Sequence, residues 1–445
     1  MPAVIVMPPR PKGRMTGGIS VTPKRKIAAV TLALLACTVS RTFAQDAPPP
    51  SPPPSPTPPA VEEAPATPPP ALSEAAVAAL QQAKDAFKKG SWQEAREAAA
   101  TVLQSQSTHL EALYIAGTSE RQNGLFADAE GHLKTLVEAS PLFPLSHFQL
   151  GYVLFLEAEG LTRGGKVEPA KAKYVEAATE FGKELQRNPT HAPSLSSRAI
   201  ALSRAGEIEE SLLAHEAWIA AAPQKNDPVL SLAAMYAGGG RSSDAMAALD
   251  RLPDKNPKAV LDATIAVSNV FIARRDWSAA VPFLEKAVDL DPAATHARAL
   301  LTESCARAGL ANDAARNLQL LMALDPTQDE AESVGEAIKA TMGNGRSAPA
   351  VSGVEPPAAL RIPAPRYPTG PDRTVETEVL VLTQVRQDAA VVNTLLVPNR
   401  IWKDIRSSGF EAAAFDAVKR GKFAAGTKDG QPAELWIVVS VKFTK

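Results

Sequence analysis

Residues 110–141 read LEALYIAGTSERQNGLFADAEGHLKTLVEASP, and the fold follows from them. The stretch is rich in Ala, Leu, Glu and Gln with helical periodicity, interrupted by Gly124 and closed by Pro141. Gly124 suits the backbone geometry of a tight inter-helix turn. Five residues later, Ala129 is small enough to let two paired helices approach closely, and twelve residues after that Pro141 ends the second helix. The same marks recur outward. Prolines stand at Pro141, Pro189, Pro223, Pro257, Pro292 and Pro326, with separations of 48, 34, 34, 35 and 34 residues. Twelve residues before each is a small residue: Ala129, Ala177, Ser211, Ala245, Ala280 and Ala314. Glycine precedes most of these by five, at Gly124, Gly206, Gly240 and Gly309, and an earlier unit has Gly90 before Ala95. A period of 34 residues holds two short helices and two turns.

On these residues the array resembles the tetratricopeptide repeat (TPR) family. Gly117, Gly124, Ala129 and Pro141 match its first-helix small, turn, second-helix small and terminating positions. Leu150-Gly151 repeats the first-helix pair, Phe181 fits the second-helix aromatic, and Trp92 and Trp277 occupy the aromatic slot after the turn. We count seven units over 75–326, the first degenerate with Ser107 in place of proline, and a solvating helix near Asp329 to Met342. The third unit has about 14 extra residues around Glu159 to Lys173, where Gly160, Gly164 and Gly165 suggest a loop between extended helices. The resemblance implies a curved solenoid whose concave surface binds a peptide or protein. Cys305 falls on a first-helix packing position and reads as a small core residue.

The flanks differ. A chain of 445 residues exceeds one average domain, and 39 prolines, 13 of them among the 25 residues Asp46 to Pro70, rule out a single compact globule. That segment cannot make helix or sheet ladders and reads as an extended polyproline II spacer, within a linker over 45–72. Before it, Lys24-Arg25-Lys26, the 13-residue apolar run Ile27 to Val39 and Thr42-Phe43-Ala44 read as a signal peptide over 1–44, cleaved after Ala44. Two rivals stay open: lipidation at Cys37, and retention through residues 27–39, although such a run makes only about 20 Å of helix. Cleavage would leave one thiol and no internal disulfide. Either way the expectation is export, with a periplasmic location. Residues 73–342 carry 26 basic and 35 acidic side chains, which argues against nucleic acid as a partner.

After the solenoid (73–342), residues 343–372 read as a second Pro/Gly/Ala-rich linker, and 373–445 as a β-β-α-β domain. Val375 to Val385 and Ala390 to Val397 form a hairpin, Phe410 to Arg420 a helix, and Glu434 to Phe443 a strand. In that strand Leu435, Ile437, Val439, Val441 and Phe443 share one face, and Trp436, Val438, Ser440 and Lys442 the other. This module resembles the C-terminal domain of TonB-type energy transducers. The resemblance rests on Arg366-Tyr367-Pro368, Ser407-Ser408-Gly409, Phe415-Asp416-Ala417-Val418, Phe423, Asp429-Gly430-Gln431-Pro432 and Val441-Lys442-Phe443. Gly421 stands where the family often has an aromatic, and Ala425 where proline is usual. The resemblance implies strand addition to an outer-membrane TonB-dependent transporter, with Trp436, Ile437, Val438, Val439, Ser440 and Val441 as the partner-strand edge.

The fold class expected is thus mainly α: a TPR α-solenoid of about seven helix pairs plus a small α+β domain. No Walker loop, nucleophile elbow or dinucleotide fingerprint occurs in the sequence. The six histidines (His109, His132, His147, His191, His215 and His296) form no metal spacing and read as surface or capping residues. We expect no enzyme, cofactor or metal. The leading reading is an exported cell-envelope adaptor; the alternatives are a membrane-anchored energy transducer and a scaffold regulating cell-wall enzymes.

Overall fold

The computed structural model describes residues 72–324, 331–342, 353–369, 376–399, 405 and 408–444. The expectations for residues 1–44 and most of the linker over 45–72, with Ala44 and Cys37, and those for Pro326 and Ser407, lie outside them. Seven helix pairs follow one another. They are α1 (Glu74–Lys89) with α2 (Trp92–Ser105), α3 (Leu110–Gln122) with α4 (Phe126–Ala139), and α5 (Ser146–Arg163) with α6 (Val167–Arg187). Next come α7 (Ala192–Ala205) with α8 (Ile208–Ala221), α9 (Asp227–Gly238) with α10 (Ser242–Leu249), and α11 (Pro257–Ala273) with α12 (Trp277–Leu290). The last pair is α13 (Thr295–Arg307) with α14 (Ala311–Leu324), and α15 (Ala331–Met342) covers it.

The sequence marks act as expected at most units. Ala129, Ala177, Ser211, Ala245, Ala280 and Ala314 are all fully buried between paired helices. A Cβ on Gly117 would stand 2.6 Å from Leu133 Cγ, and one on Gly151 2.9 Å from the Phe181 ring. The turn glycines Gly124, Gly206, Gly240 and Gly309 have φ between 76° and 90°, and in the sixth unit Arg275 takes the same left-handed conformation at φ 61°. Pro141, Pro189, Pro223 and Pro292 each lie two residues past the end of a second helix.

Three expectations are corrected here. Pro257 does not close a helix but opens α11, capped by Asn256 Oδ1, which accepts from the Lys258 N–H at 2.9 Å; the first turn of a helix needs no N–H from that residue. The third unit has the expected loop between extended helices, but Gly160 is not part of it: the extra residues lengthen α5 to 18 and α6 to 21 residues, with Ala158, Ala170 and Tyr174 buried along the extension, and only 164–166 turn. His147 and His215 are not surface residues: they are 7% and 1% exposed. His109 does cap α3, its Nδ1 accepting from the Ala112 N–H at 3.2 Å.

The C-terminal module contains β3 (Thr377–Val385), β4 (Val391–Leu396), α16 (Phe410–Lys419) and β8 (Leu435–Phe443), close to the expected bounds. A further correction concerns 343–372. Within it, β1 (Val354–Glu355) pairs antiparallel with β6 (Gly426–Lys428), and β2 (Ala358–Arg361) with β5 (Lys422–Ala424). Short strands of this kind have no periodicity of their own to read; their partners lie some 60 to 75 residues away. β7 (Gln431–Ala433) completes the hairpin with β6 across Asp429-Gly430, at φ 52° and 76°. A Cβ at Gly421 would meet the Val418 carbonyl oxygen and Ile362 Cδ1, each at 2.8 Å.

The main sheet has the order β4-β3-β8, all antiparallel. On one face Ile437, Val439, Val441 and Phe443 pack against Phe410, Ala414, Ala417 and Val418 of α16. The other face presents Leu380, Leu382, Trp436 and Val438, joined by Val397, to the core of the last repeats, including Val334, Ala337 and Ile338 of α15. The Trp436 indole N–H donates to Asn312 Oδ1 of α14 at 2.7 Å. The alternation in β8 therefore serves two cores.

Candidate partner-binding surfaces

Successive first helices lie against one another (α1 on α3, α3 on α5, α5 on α7), while second helices approach each other less closely. An array packed in this way curves with its first helices on the inner side. On that side, in the second and third units, half-buried aromatic side chains recur at three- and four-residue spacing. Phe148, Tyr152 and Phe155 line α5, with centroids 6.0 Å and 6.4 Å apart and the second pair within 9° of parallel. Tyr114 of α3 lies 6.1 Å from Phe87 of α1, and its hydroxyl accepts from Gln149 Nε2 at 3.4 Å. Arg121, near the end of α3, stands over the Tyr152 ring at 5.1 Å.

The stripe is polar as well as aromatic. Arg121 Nε and Gln149 Oε1 are buried and have no hydrogen-bond partner among the described residues. Burial, partly offset by the neighbouring tyrosines, lowers the Arg121 guanidinium from its ordinary value. Burial likewise raises Tyr114 and Tyr174, so both stay protonated donors; the Tyr174 hydroxyl donates to Glu159 at 2.5 Å. Lys173 of α6 bridges Glu130 and Glu157 at 2.9 Å and 3.1 Å. Burial raises the Glu130 carboxyl, but hydrogen bonds from Lys134 and Lys173 outweigh it and bring it to about 2. These ion pairs brace the extended third unit. The aromatic stripe was not singled out from the sequence, although its three- and four-residue spacing was there to be read.

The expected partner-strand residues Trp436 to Val441 lie on β8, which pairs only with β3 among the described strands, in register from Thr377↔Phe443 to Val385↔Leu435. Its second edge thus offers backbone groups. Its side chains are otherwise engaged: Trp436 and Val438 toward the solenoid, Ile437, Val439 and Val441 toward α16, and Ser440 Oγ on Glu378 at 2.5 Å. Tyr367 packs edge-on to Phe410 and Phe443, with centroids 5.3 Å and 6.2 Å away. Pro368 lies beside Gly409, and the Asp429 N–H donates to the Gly353 carbonyl at 2.6 Å. These residues hold the module together.

Among the described residues no group of three or more His, Cys, Asp or Glu could hold a metal ion, and no helix is long and apolar enough to cross a membrane. Cys305 is buried, and burial pushes its thiol up to about 12, which leaves it an inert core residue.

Seven successive helix pairs thus form a repeat array with one lined inner face. Residues 80–156 match the tetratricopeptide repeat family. No curated protein matches the chain in sequence. Among solved structures, the chain is similar to MamA from Desulfovibrio magneticus, with 16% identity, 43% of this chain and 97% of that one covered, and a TM-score of 0.36. It is similar also to a tetratricopeptide repeat protein from Parabacteroides merdae, with 12% identity, 60% and 98% covered, and a TM-score of 0.38. A third is YrrB, described as a TPR protein with an unusual peptide-binding site, with 16% identity, 45% and 92% covered, and a TM-score of 0.36.

Proposed function

We propose that the chain is an exported adaptor of the cell envelope that grips a protein or peptide along the inner face of its repeats. One observation carries this reading: the half-buried stripe of Tyr114, Phe148, Tyr152 and Phe155, with the Arg121 Nε unpartnered beside it. Aromatic faces and an incompletely bonded guanidinium are the groups that hold extended peptides, supplying contact area and a charged anchor. The second part of the proposal is that β8 accepts a strand from another protein, a TonB-dependent transporter being the partner that the family resemblance implies. The edge from Trp436 to Val441, unpaired among the described strands, supports it, because unpaired N–H and C=O groups template an incoming strand. Export rests on Lys24-Arg25-Lys26 and the apolar run that follows.

The test is a random peptide library panned on the purified chain, with the selected peptides measured by calorimetry. Binding that weakens at least about tenfold in Arg121→Ala and in Tyr152→Ala, with the helical circular dichroism unchanged, supports the groove; tenfold corresponds to about 1.4 kcal/mol. Selected peptides indifferent to both changes would refute it.

A further inference from the structure

The last repeat and the C-terminal module meet over more than an apolar core. Beside that core a cleft of about 220 Å³ opens between α14 and the β4-β3-β8 sheet. Asn312, Arg316 and Gln319 stand on its helical side, at the four- and three-residue spacing that puts them on one face of α14. Opposite, Asn393 of β4 pairs with Gln384 of β3, and Gln384 with Trp436 of β8, so the register draws them into one row across the sheet. Ala315, Leu395 and the Trp436 ring supply the apolar part of the wall.

The hydrogen bonds already made leave this lining rich in donors. Asn312 Oδ1 accepts from the Trp436 indole N–H at 2.7 Å, and Asn393 Oδ1 from the Thr394 N–H at 2.9 Å. Each of these amides therefore keeps its N–H groups for something else. The side chains of Arg316 and Gln319 have no hydrogen-bond or ion-pair partner among the described residues. Arg316 is also the one charged side chain in the described lining. Charges nearby are engaged elsewhere: Glu434 accepts from Gln384 Nε2, Arg386 pairs with Asp388, and Asp313 acts on Cys305. Arg298 of α13 donates to Asn317 Oδ1 and the Pro292 carbonyl, each at 3.1 Å.

A donor-rich lining calls for a ligand that presents acceptors. A lone guanidinium takes a carboxylate through two parallel N–H···O bonds, and amide N–H groups take hydroxyl or ring oxygens. No carboxylate lines the described cleft to receive an ammonium group, which disfavours amino acids. At about 30 Å³ per water the volume equals about seven waters, room for a single ring. We propose that this seam binds a small hydroxylated organic acid of sugar-acid size, with its carboxylate on Arg316 and its other oxygens on Asn312, Gln319 and Asn393. The walls come from both the repeats and the module, so the bound acid bridges them and stabilises their docked arrangement. Sites at such junctions are common for small ligands. The proposal is independent of the inner face and of the β8 edge.

The experiment is a calorimetric titration of the full chain with glucuronate, galacturonate and gluconate, and with glucose as the uncharged control. Saturable binding of at least one acid in the millimolar range or tighter is expected, with glucose at least tenfold weaker. Arg316→Gln should weaken the acid at least tenfold, and Gln319→Leu and Asn393→Leu at least threefold. Arg316 and Gln319 are exposed, so unchanged circular dichroism and urea midpoints of these two variants keep the comparison clean. The acid that binds should also raise the Tm of the parent and leave that of Arg316→Gln unmoved. Failure of all three acids to saturate overturns the proposal. So does glucose binding as well as the acids, or an acid that binds Arg316→Gln as tightly as the parent, since its site would then lie elsewhere.

Discussion

Replacing Gly335 with alanine is a change whose sign reports how the two parts of the chain meet. Gly335 lies inside α15, where alanine would ordinarily stabilise a helix by about 0.5–1 kcal/mol. Here its Cα faces the carbonyl of Pro398, and an added Cβ would overlap that backbone oxygen. A carbonyl on the main chain has no rotamer to retreat into, so α15 and the segment after β4 must separate. Overpacking of this kind costs about 1–3 kcal/mol, which outweighs the helical gain. Full separation would expose Leu380, Leu382, Val397, Trp436 and Val438, all buried in the shared core. At about 1.5–3 kcal/mol for each large apolar side chain, complete undocking is far costlier than a local shift. The expected outcome is therefore a net loss of about 0.5–2 kcal/mol. It would be read as a lower unfolding midpoint in urea, with faster proteolysis of the junction between α15 and β3. A variant that unfolds at higher urea than the parent would show that α15 does not touch Pro398, and the shared core would have to be abandoned.

Two further outcomes follow from the repeats. Arg275→Gly replaces a left-handed arginine with the residue that the other units use there; relief of about 1–2 kcal/mol of backbone strain, less the flexibility that glycine adds to the unfolded chain, leaves a gain of about 0.5–1 kcal/mol in urea unfolding, and a loss would contradict the φ at that turn. His215 is buried with its Nδ1–H donating to the Ser211 carbonyl at 2.8 Å and its Nε2 accepting from Ser231 Oγ at 3.0 Å, and burial lowers its imidazole. Its contribution is whole above the ordinary imidazole value of about 6.5 and is lost as the pH falls through the folded value, because the unfolded chain takes up the proton first. His132 acts oppositely. The hydrogen bond to Glu120 raises it, so its contribution holds at low pH and fades as the pH rises. The Tm of the parent should therefore drop more steeply between pH 7 and pH 5 than that of His215→Gln, and parallel profiles would place His215 in solvent.

The repeat architecture was readable because every mark of it is local. Gly124, Ala129 and Pro141 act on a turn, a helix contact and a helix end within one unit, and each unit packs chiefly on its neighbours. The alternation of β8 was equally plain, down to which side chains share a face. What stayed hidden depends on distant partners. The two-residue strand Val354–Glu355 owes its existence to Thr427 and Lys428, and nothing in its own composition announces it. His147 reads as a surface residue until α6 brings Glu180 within 2.6 Å of its Nδ1.

The 34-residue spacing thus established a helical solenoid of seven pairs, since nearest-neighbour packing is written within one period, and the alternation within 373–445 established a small mixed module after it. Only the tertiary structure decided that the sheet of that module shares a core with the last repeats, that β8 pairs on one edge alone among the described strands, and that Arg121 meets Tyr152 along the inner face. Those outcomes depend on which surfaces remain apolar once each unit has folded, and on curvature accumulated over several repeats, neither of which any single stretch of sequence contains.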